Sequence, residues 1–286
     1  MSRAFRFLAV FLLCASPIQA AYLASGPRNS APAILFASSS GKGGSASALP
    51  ANSAETPREA AAIIAGSHLP NIMEQQILRP GRGSMPEIHI SYPSVGHTRI
   101  DADIRQWATS IADTFESAAS FSHFLPEESP HHEIWSSYSV TEPSAEVLSI
   151  TFEVWTYTGG AHGNLDIITL NYSLLTGRRL ELVDIFEYPD TALELMSAWA
   201  YEELSRRLGG LRQERMLRDG LVPTPENFAS LSLTPQGIRM RFQPYQVAPW
   251  AAGAQKVDMP LERLLPARPL LSLWGKKDAA PSGKQN

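Results

Sequence analysis

The sequence has 286 residues, of which 44% are hydrophobic and 18% are charged, and its formal net charge at pH 7 is −4. This composition is typical of a globular protein that is long enough to bury one substantial core. A mildly acidic chain with scattered basic residues lacks the basic patch that nucleic acids bind, so we expect no nucleic-acid partner.

The first twenty residues have the layout of a secretory signal peptide. Arg3 and Arg6 precede an apolar run at residues 7–15, and the small residues Ala20 and Ala21 follow. The run is roughly half as long as a membrane-spanning helix, which favours cleavage after Ala20 over a retained anchor. We therefore predict a periplasmic or secreted protein that does not insert into a membrane once the signal peptide is removed.

Cys14 is the only cysteine, and it lies within the apolar run of the signal peptide. A lipidated cysteine needs a small residue just before it, but Leu13 occupies that position, so we interpret Cys14 as an ordinary apolar residue of the run. The mature chain would carry a net charge of −6. It would have no disulfide, no thiolate metal site and no cysteine nucleophile.

Residues 21–84 are predicted to form a disordered, low-complexity arm. Residues 21–53 are rich in Ser, Ala, Gly and Pro and contain too few large apolar groups to offset chain entropy. A Thr-Pro-Arg-Glu start allows a short helix at residues 56–64. Residues 80–83 have the composition of a linker, so the folded domain is expected to begin near Met85.

A single domain is predicted over residues 85–274, followed by a flexible tail at residues 275–286. Its N-terminal piece, residues 85–145, begins with an alternating strand at residues 87–93. An amphipathic helix follows over residues 101–115, where apolar residues recur at three- and four-residue spacing. The remainder of this piece, from residue 121 onward, is interpreted as a loop.

The second piece of the domain, residues 146–266, begins with an antiparallel meander. Its strands are predicted at residues 147–157, 166–174 and 179–182, because the connections are too short for parallel crossovers. The elements after the meander are a helix at 190–208, a short helix ending at 218, strands at 228–233, 238–242 and 255–259, and a helical turn at 260–265. Together these elements predict an α+β fold, in which two main helices pack against a mostly antiparallel sheet.

A glycine-rich loop at residues 157–164 lies between two strands of the meander. Three glycines in five positions indicate backbone that needs positive φ or very close approach. One interpretation is a rigid loop that presents a ligand-binding set. That set consists of Tyr157, Gly159, Gly160, His162 and Asn164. The alternative is a structural turn in which His162 hydrogen-bonds the loop backbone.

A second loop, at residues 242–253, contains two prolines together with Tyr245 and Trp250. Aromatic side chains on a stiff loop offer contact area at low entropic cost, which suits sugars and protein partners. We predict that both rings bind a ligand. The alternative is that they are buried beneath the domain.

Patterns for a metal site and for a serine nucleophile are weaker than the two loops as signals of function. His131, His132 and Glu133 could hold zinc with His162, but adjacent residues of an extended chain point to opposite faces, so we expect no metal and no cofactor. No serine lies in a nucleophile elbow.

Glu153 and Asp166 could form the carboxylate pair of a glycoside hydrolase. However, Glu153 alternates with the apolar face of its strand, and this alternation also fits a solvated strand face.

Three motifs, at residues 157–164, 171–186 and 233–264, resemble a domain of unknown function in RsiV-type anti-sigma factors. The same domain accompanies the catalytic domain of PdaC-type peptidoglycan deacetylases. The strand at residues 87–93 resembles its companion N-terminal piece, so the resemblance covers residues 85–266.

This resemblance implies a receptor rather than an enzyme, because RsiV-type proteins bind lysozyme outside the cell. The sequence shows no sigma-binding segment and no deacetylase metal motif. Signalling across a membrane by this chain alone is therefore not expected.

The expected function is a non-enzymatic binding protein of the cell envelope that recognises a cell-wall glycan or a wall-acting protein such as lysozyme. One alternative is an envelope carbohydrate or ester hydrolase that uses His162 with Glu153 or Asp166. A second alternative is a purely structural envelope module.

Overall fold

A computed structural model describes four stretches of the chain, which are residues 72–83, 85–121, 132–159 and 161–277. The predicted signal peptide and the possible helix at residues 56–64 lie outside these stretches. His131, Gly160 and most of the predicted tail also lie outside them.

The first sheet among the described residues has five strands in the order β1-β2-β3-β4-β5. Their bounds are β1 Met73–Arg79, β2 Glu87–Ser94, β3 Glu133–Ser144, β4 Val147–Tyr157 and β5 Asn164–Ser173. Strands β2 and β3 are parallel, and every other neighbouring pair is antiparallel. Helix α1, Thr98–Phe121, lies between β2 and β3 in the chain, as a parallel pair requires a long crossover.

One face of this sheet packs against α1. Alternate residues of a strand point to opposite faces, and the apolar set of β4 points to the helix. The residues of this core include Ile88, Ile90, Ile104, Trp107, Ile111, Phe115, Leu148, Ile150, Phe152 and Val154. The amphipathic helix predicted from three- and four-residue spacing is therefore confirmed, and its apolar stripe is buried.

A second sheet of three antiparallel strands follows in the order β6-β7-β8. Its strands are β6 Leu231–Thr234, β7 Gly237–Phe242 and β8 Gln255–Pro260. The helices of this part are α2 Leu182–Ile185, α3 Pro189–Arg207, α4 Glu214–Gly220 and α5 Leu261–Leu264. Helix α3 buries Leu193, Met196 and Leu204 in a core shared with Ile238 and Phe242.

The two sheets meet on the face of the first sheet that lies opposite α1. Ser149 Oγ accepts a hydrogen bond from the backbone N–H of Leu233 at 3.0 Å. The Asn171 side-chain amide donates to the Leu231 carbonyl at 2.8 Å. Ser149 also donates to Asn171 Oδ1 at 2.6 Å, so these buried polar groups satisfy one another and fix how β6 crosses the sheet.

The observed folded part begins earlier than the sequence predicted. Strand β1 lies within residues 21–84, which we predicted to be a disordered arm, and it pairs with β2. Arg79 at its end bonds to Asp113 at 2.6 Å and also to Glu116 of α1. The boundary near Met85 was wrong because β1 is an edge strand with exposed polar side chains, so it lacks a strong alternating signal.

The interpretation of residues 121–146 as a loop was also wrong. Strand β3 occupies twelve of these residues and is the central strand of the five-stranded sheet. Its many serines and Pro143 are not typical of a central strand, so the sequence did not predict one here. The pairing register with β4 shifts between Thr141 and Ser144, and this irregularity allows a proline within the strand.

The predicted fold class is confirmed, because the described residues form an α+β structure with mostly antiparallel strands. The strands divide into two sheets, where the sequence predicted one. Within the described stretches, none of the helices has the length and apolar character needed to cross a membrane.

Candidate functional site

Five aromatic rings form a continuous row, which we call the aromatic strip. Its members are Trp135, Trp155, Trp250, His162 and Tyr245. The ring centroids of Trp135 and Trp155 are 6.2 Å apart, and those of Trp155 and Trp250 are also 6.2 Å apart. His162 stacks on Trp250 at 4.4 Å, and Tyr245 lies 5.8 Å from Trp250. Trp250 is therefore the ring that joins the two loops to the sheet.

The sheet supplies the first two rings. Trp135 of β3 and Trp155 of β4 are directly opposite each other in the strand register. Both lie on the face away from α1, because Trp155 alternates with the buried Val154. The Trp135 residue is 44% exposed, which is unusual for so large an apolar side chain and leaves its ring open to a ligand.

The glycine-rich loop supplies His162. Its Nδ1 lies 2.7 Å from the Gly163 carbonyl, so the imidazole bonds to its own loop while it stacks on Trp250. Gly159 has a φ of +91°, as the sequence pattern suggested. The loop backbone presses directly on Trp155, since a Cβ at Gly163 would lie 2.3 Å from Cζ2 of that indole.

Gly163→Ala is therefore expected to displace the loop from Trp155. Overpacking of this kind destabilises a protein by about 1–3 kcal/mol. The near-ultraviolet circular dichroism of the stacked rings should also change, while urea unfolding reports the loss of stability. Gly210→Ala is the matched control, because a Cβ there meets no atom within 4 Å. Equal unfolding midpoints for the two variants would contradict the close packing.

The second loop supplies Tyr245 and Trp250. Tyr245 has a φ of +69° although it is not a glycine, and the residue is 52% exposed. The adjacent Val247 and Ala248 are buried, and the Gln246 side chain donates to the Asn227 carbonyl at 2.9 Å. The anchored neighbours hold Tyr245 in a backbone conformation that costs free energy, and such strain clusters at functional sites.

The structure brings together only part of the predicted ligand-binding set. His162, Tyr245 and Trp250 meet in the aromatic strip. Tyr157 lies on the same face of β4, two residues beyond Trp155. Asn164 does not join them, because it pairs with Thr156 on the opposite face.

The Asn164 amide bonds to Asp166 on that opposite face at 3.2 Å. Asn164 is therefore separate from the aromatic strip, and its assignment to the ligand-binding surface stays a prediction. Gly160 lies outside the described residues.

Two members of the strip, Trp135 and Trp155, were missed by the sequence analysis. Trp155 alternates with apolar residues of β4 and shares its face with Ser149, Thr151 and Glu153. A large aromatic residue on an otherwise polar strand face was the available signal. The same signal was not available for Trp135, because its strand was interpreted as a loop and no strand face could be assigned to it.

The predicted carboxylate pair does not form. Glu153 lies opposite Ile167 in the register, whereas Asp166 lies opposite Val154. Their side chains therefore point to opposite faces of the sheet, Glu153 exposed and Asp166 buried. Among the described residues, no group of three or more His, Cys, Asp or Glu side chains could hold a metal ion.

A half-buried cation lies at the corner where the two sheets meet. Arg241 of β7 donates from Nη1 to Thr151 Oγ1 at 3.1 Å and to Ser232 Oγ at 2.9 Å. Burial lowers the pKa of Arg241 to about 10, with a smaller contribution from the positive charge of Arg239, and Glu153 opposes this shift. The guanidinium thus stays charged at neutral pH, close to the polar side chains of β4 on the face away from α1.

A cleft of about 880 Å³ lies elsewhere, between α1, β5 and the start of α3. At its wall Asp103 accepts hydrogen bonds from the Tyr172 hydroxyl at 2.7 Å and from Arg179 Nε at 2.6 Å. None of the five rings of the aromatic strip lines this cleft. The Asp103 network joins α1 to the end of the sheet, and we assign it a structural role.

Comparison with a curated protein supports part of the resemblance. The chain is 25% identical over 170 residues to the peptidoglycan-N-acetylmuramic acid deacetylase PdaC of Bacillus subtilis strain 168. The match covers 59% of this chain and 36% of that deacetylase, so it spans about a third of the relative. Membership of the RsiV-type receptors stays a prediction.

A solved structure shares the fold, and a second one is reported beside it. A DUF3298 family protein from Pseudomonas aeruginosa PAO1 has a TM-score of 0.52 and 20% identity, covering 70% of this chain and 94% of its own. A DUF3298 member from Bacteroides fragilis NCTC 9343 has a TM-score of 0.48 and 16% identity, with the same coverage. Residues 183–262 match the family described as "Protein of unknown function (DUF3298)". The chain thus carries a DUF3298 domain, which contains Tyr245 and Trp250 of the aromatic strip.

Proposed function

We propose that this chain is a non-enzymatic binding protein of the bacterial cell envelope that recognises cell-wall glycan through the aromatic strip. The observation that carries the proposal is the continuous, partly exposed row of five rings. A pyranose ring has apolar C–H faces beside polar edges, and aromatic side chains with one wet edge suit such a ligand.

The strip is also rigid before any ligand arrives. Trp135 and Trp155 stand on the central strands of a sheet, and Gly163 holds its loop against Trp155. Buried neighbours fix the loop of Tyr245. A surface that is already in its binding conformation loses little entropy on association, so moderate contact area is sufficient for affinity.

The deacetylase relative supports an envelope location and a glycan ligand for this chain, since its name describes an enzyme that acts on peptidoglycan. Only about a third of that protein matches, so we propose that the shared segment binds the substrate polymer and does not itself catalyse deacetylation. The predicted signal peptide gives the same location, periplasmic or secreted.

A wall-acting protein such as lysozyme is the second candidate ligand. Tryptophan and tyrosine are the residues that most often dominate protein interfaces, and Trp135 and Tyr245 are both exposed in one surface. The resemblance to RsiV-type receptors favours this partner, whereas the deacetylase relative favours the glycan.

The hydrolase alternative receives less support. Glu153 and Asp166 point to opposite faces, and the Nδ1 of His162 already bonds to the Gly163 carbonyl. A general base must lie within hydrogen-bond reach of the group that it serves. No more than one of the two carboxylates can therefore serve a site that contains His162.

Co-sedimentation of the exported chain with insoluble peptidoglycan tests the proposal, alongside a separate titration with lysozyme. We expect the chain to pellet with peptidoglycan in a saturable manner. Binding to lysozyme without binding to peptidoglycan would replace the glycan by the protein partner. Binding to neither would contradict both and favour a structural envelope module.

A further inference from the structure

Two charged side chains, Glu153 and Arg241, lie on the face of β4 that carries Trp155. Glu153 comes two residues before Trp155 on the same face of β4, and its side chain is exposed. Arg241 reaches this face from β7 through its bond to Thr151. Neither Glu153 nor Arg241 forms a salt bridge with any part of the chain that the structure describes.

Arg241 has hydrogen-bonding capacity to spare. Both of its bonds use Nη1, and no acceptor among the described residues contacts its Nη2 or Nε. A guanidinium carries five N–H donors, so those on Nη2 and Nε can bind an added oxygen. The neighbouring Arg239 differs, because Asp258 engages it through two bonds of 2.6 Å and 3.0 Å.

Glu153 and Arg241 together provide an acceptor and a donor on the sheet face that carries Trp155. Arg241 bonds to Thr151, and Glu153 follows two residues later on the same face of β4, so the two charged groups are neighbours on this face although no salt bridge joins them among the described residues. A secondary amide can bind such a pair, because its N–H donates to a carboxylate and its C=O accepts from a guanidinium.

We propose that Glu153 and Arg241 bind the acetamido group of an N-acetylated sugar whose ring stacks on the aromatic strip. This proposal rests on the glycan-binding function and specifies which sugar the strip accepts. A free amino sugar is disfavoured because Arg241 repels an ammonium group. A simple carboxylate is disfavoured because Glu153 repels it, so the pair selects a neutral ligand with both a donor and an acceptor.

The test compares two soluble probes of equal length by calorimetry at pH 7. One is a β-1,4-linked oligomer of N-acetylglucosamine, and the other is the same oligomer after de-N-acetylation. The wild type should bind the acetylated oligomer about tenfold more tightly, which corresponds to one good charge-assisted hydrogen-bond arrangement. Glu153→Gln and Arg241→Gln should each remove most of this preference.

Matched controls separate the pair from general charge effects. Arg215→Gln and Glu262→Gln remove one exposed charge each, far from the pair in the sequence, and should leave the preference unchanged. Unfolding midpoints identify any loss of folding in Arg241→Gln, which also removes bonds to Thr151 and Ser232. Glu153→Gln changes only an exposed side chain and therefore tests the pair independently.

Three results would overturn the proposal. Equal binding of both probes, with Trp250→Ala still weakening binding, would contradict the acetamido site and leave the glycan function intact. Unchanged preference in Glu153→Gln would also contradict the site. Failure of the wild type to bind either probe, while it pellets with peptidoglycan, would show that the strip recognises another feature of the wall.

Discussion

Trp250→Ala is expected to weaken binding of soluble peptidoglycan fragments by about 2 kcal/mol, or ~30-fold in the dissociation constant. Trp250 contacts three other rings of the strip, Trp155, His162 and Tyr245. Its removal takes away one stacking surface and also releases the imidazole that rests on it. The effect should therefore exceed that of losing one isolated contact, and calorimetric titration measures it.

Trp199→Ala is the matched control for this prediction. Trp199 lies on α3, donates its indole N–H to the Asp258 carbonyl at 2.9 Å and stacks with Arg263, outside the strip. This variant deletes the same side chain and should leave the dissociation constant within about twofold of the wild type. If both tryptophan variants lost the same affinity, the strip would not be the binding surface.

Phe152→Ala is expected to lower the free energy of unfolding by about 3–5 kcal/mol. Phe152 is fully buried between the sheet and α1, and its ring centroid lies 4.0 Å from that of Trp107 and 6.3 Å from that of Tyr138. The truncation leaves a cavity that rigid strands cannot close. Because globular proteins are stable by only about 5–15 kcal/mol, the loss should be large in urea unfolding.

A surface truncation provides the comparison for Phe152→Ala. Leu175 lies in the turn after β5 and is 73% exposed, so Leu175→Ala should change the free energy of unfolding by no more than about 0.5 kcal/mol. A loss below about 1 kcal/mol for Phe152→Ala would mean that the sheet and α1 do not share the tightly packed core described above.

Much of the fold could be predicted because its central elements have strong periodicity. The alternation in β4 and the three- and four-residue spacing in α1 arise from burial on one face, and burial leaves a pattern in the sequence. Strand β1 has mostly exposed or half-buried side chains, and β3 is rich in serine, so neither shows that pattern. Pairing with neighbours, which the sequence does not display, stabilises both strands.

The candidate site could be predicted only where it lies on unusual loops. The glycines around His162 and the prolines around Tyr245 indicate a constrained backbone. The two loops do contact each other, since His162 stacks on Trp250. Which face a strand residue occupies depends on the pairing register, and a shift of one residue reverses it. For this reason the sequence did not predict that Asn164 lies on the face opposite the strip, or that Glu153 and Asp166 lie on opposite faces.

The most direct test of glycan binding by the strip is nuclear magnetic resonance of the indole N–H groups during titration with soluble peptidoglycan fragments. The chain has six tryptophans, and single replacements assign their signals. We predict that the signals of Trp135, Trp155 and Trp250 shift with saturation, while those of Trp107, Trp199 and Trp274 stay in place. Saturable binding that leaves the first three signals unmoved, or no binding at all, would contradict the proposed function.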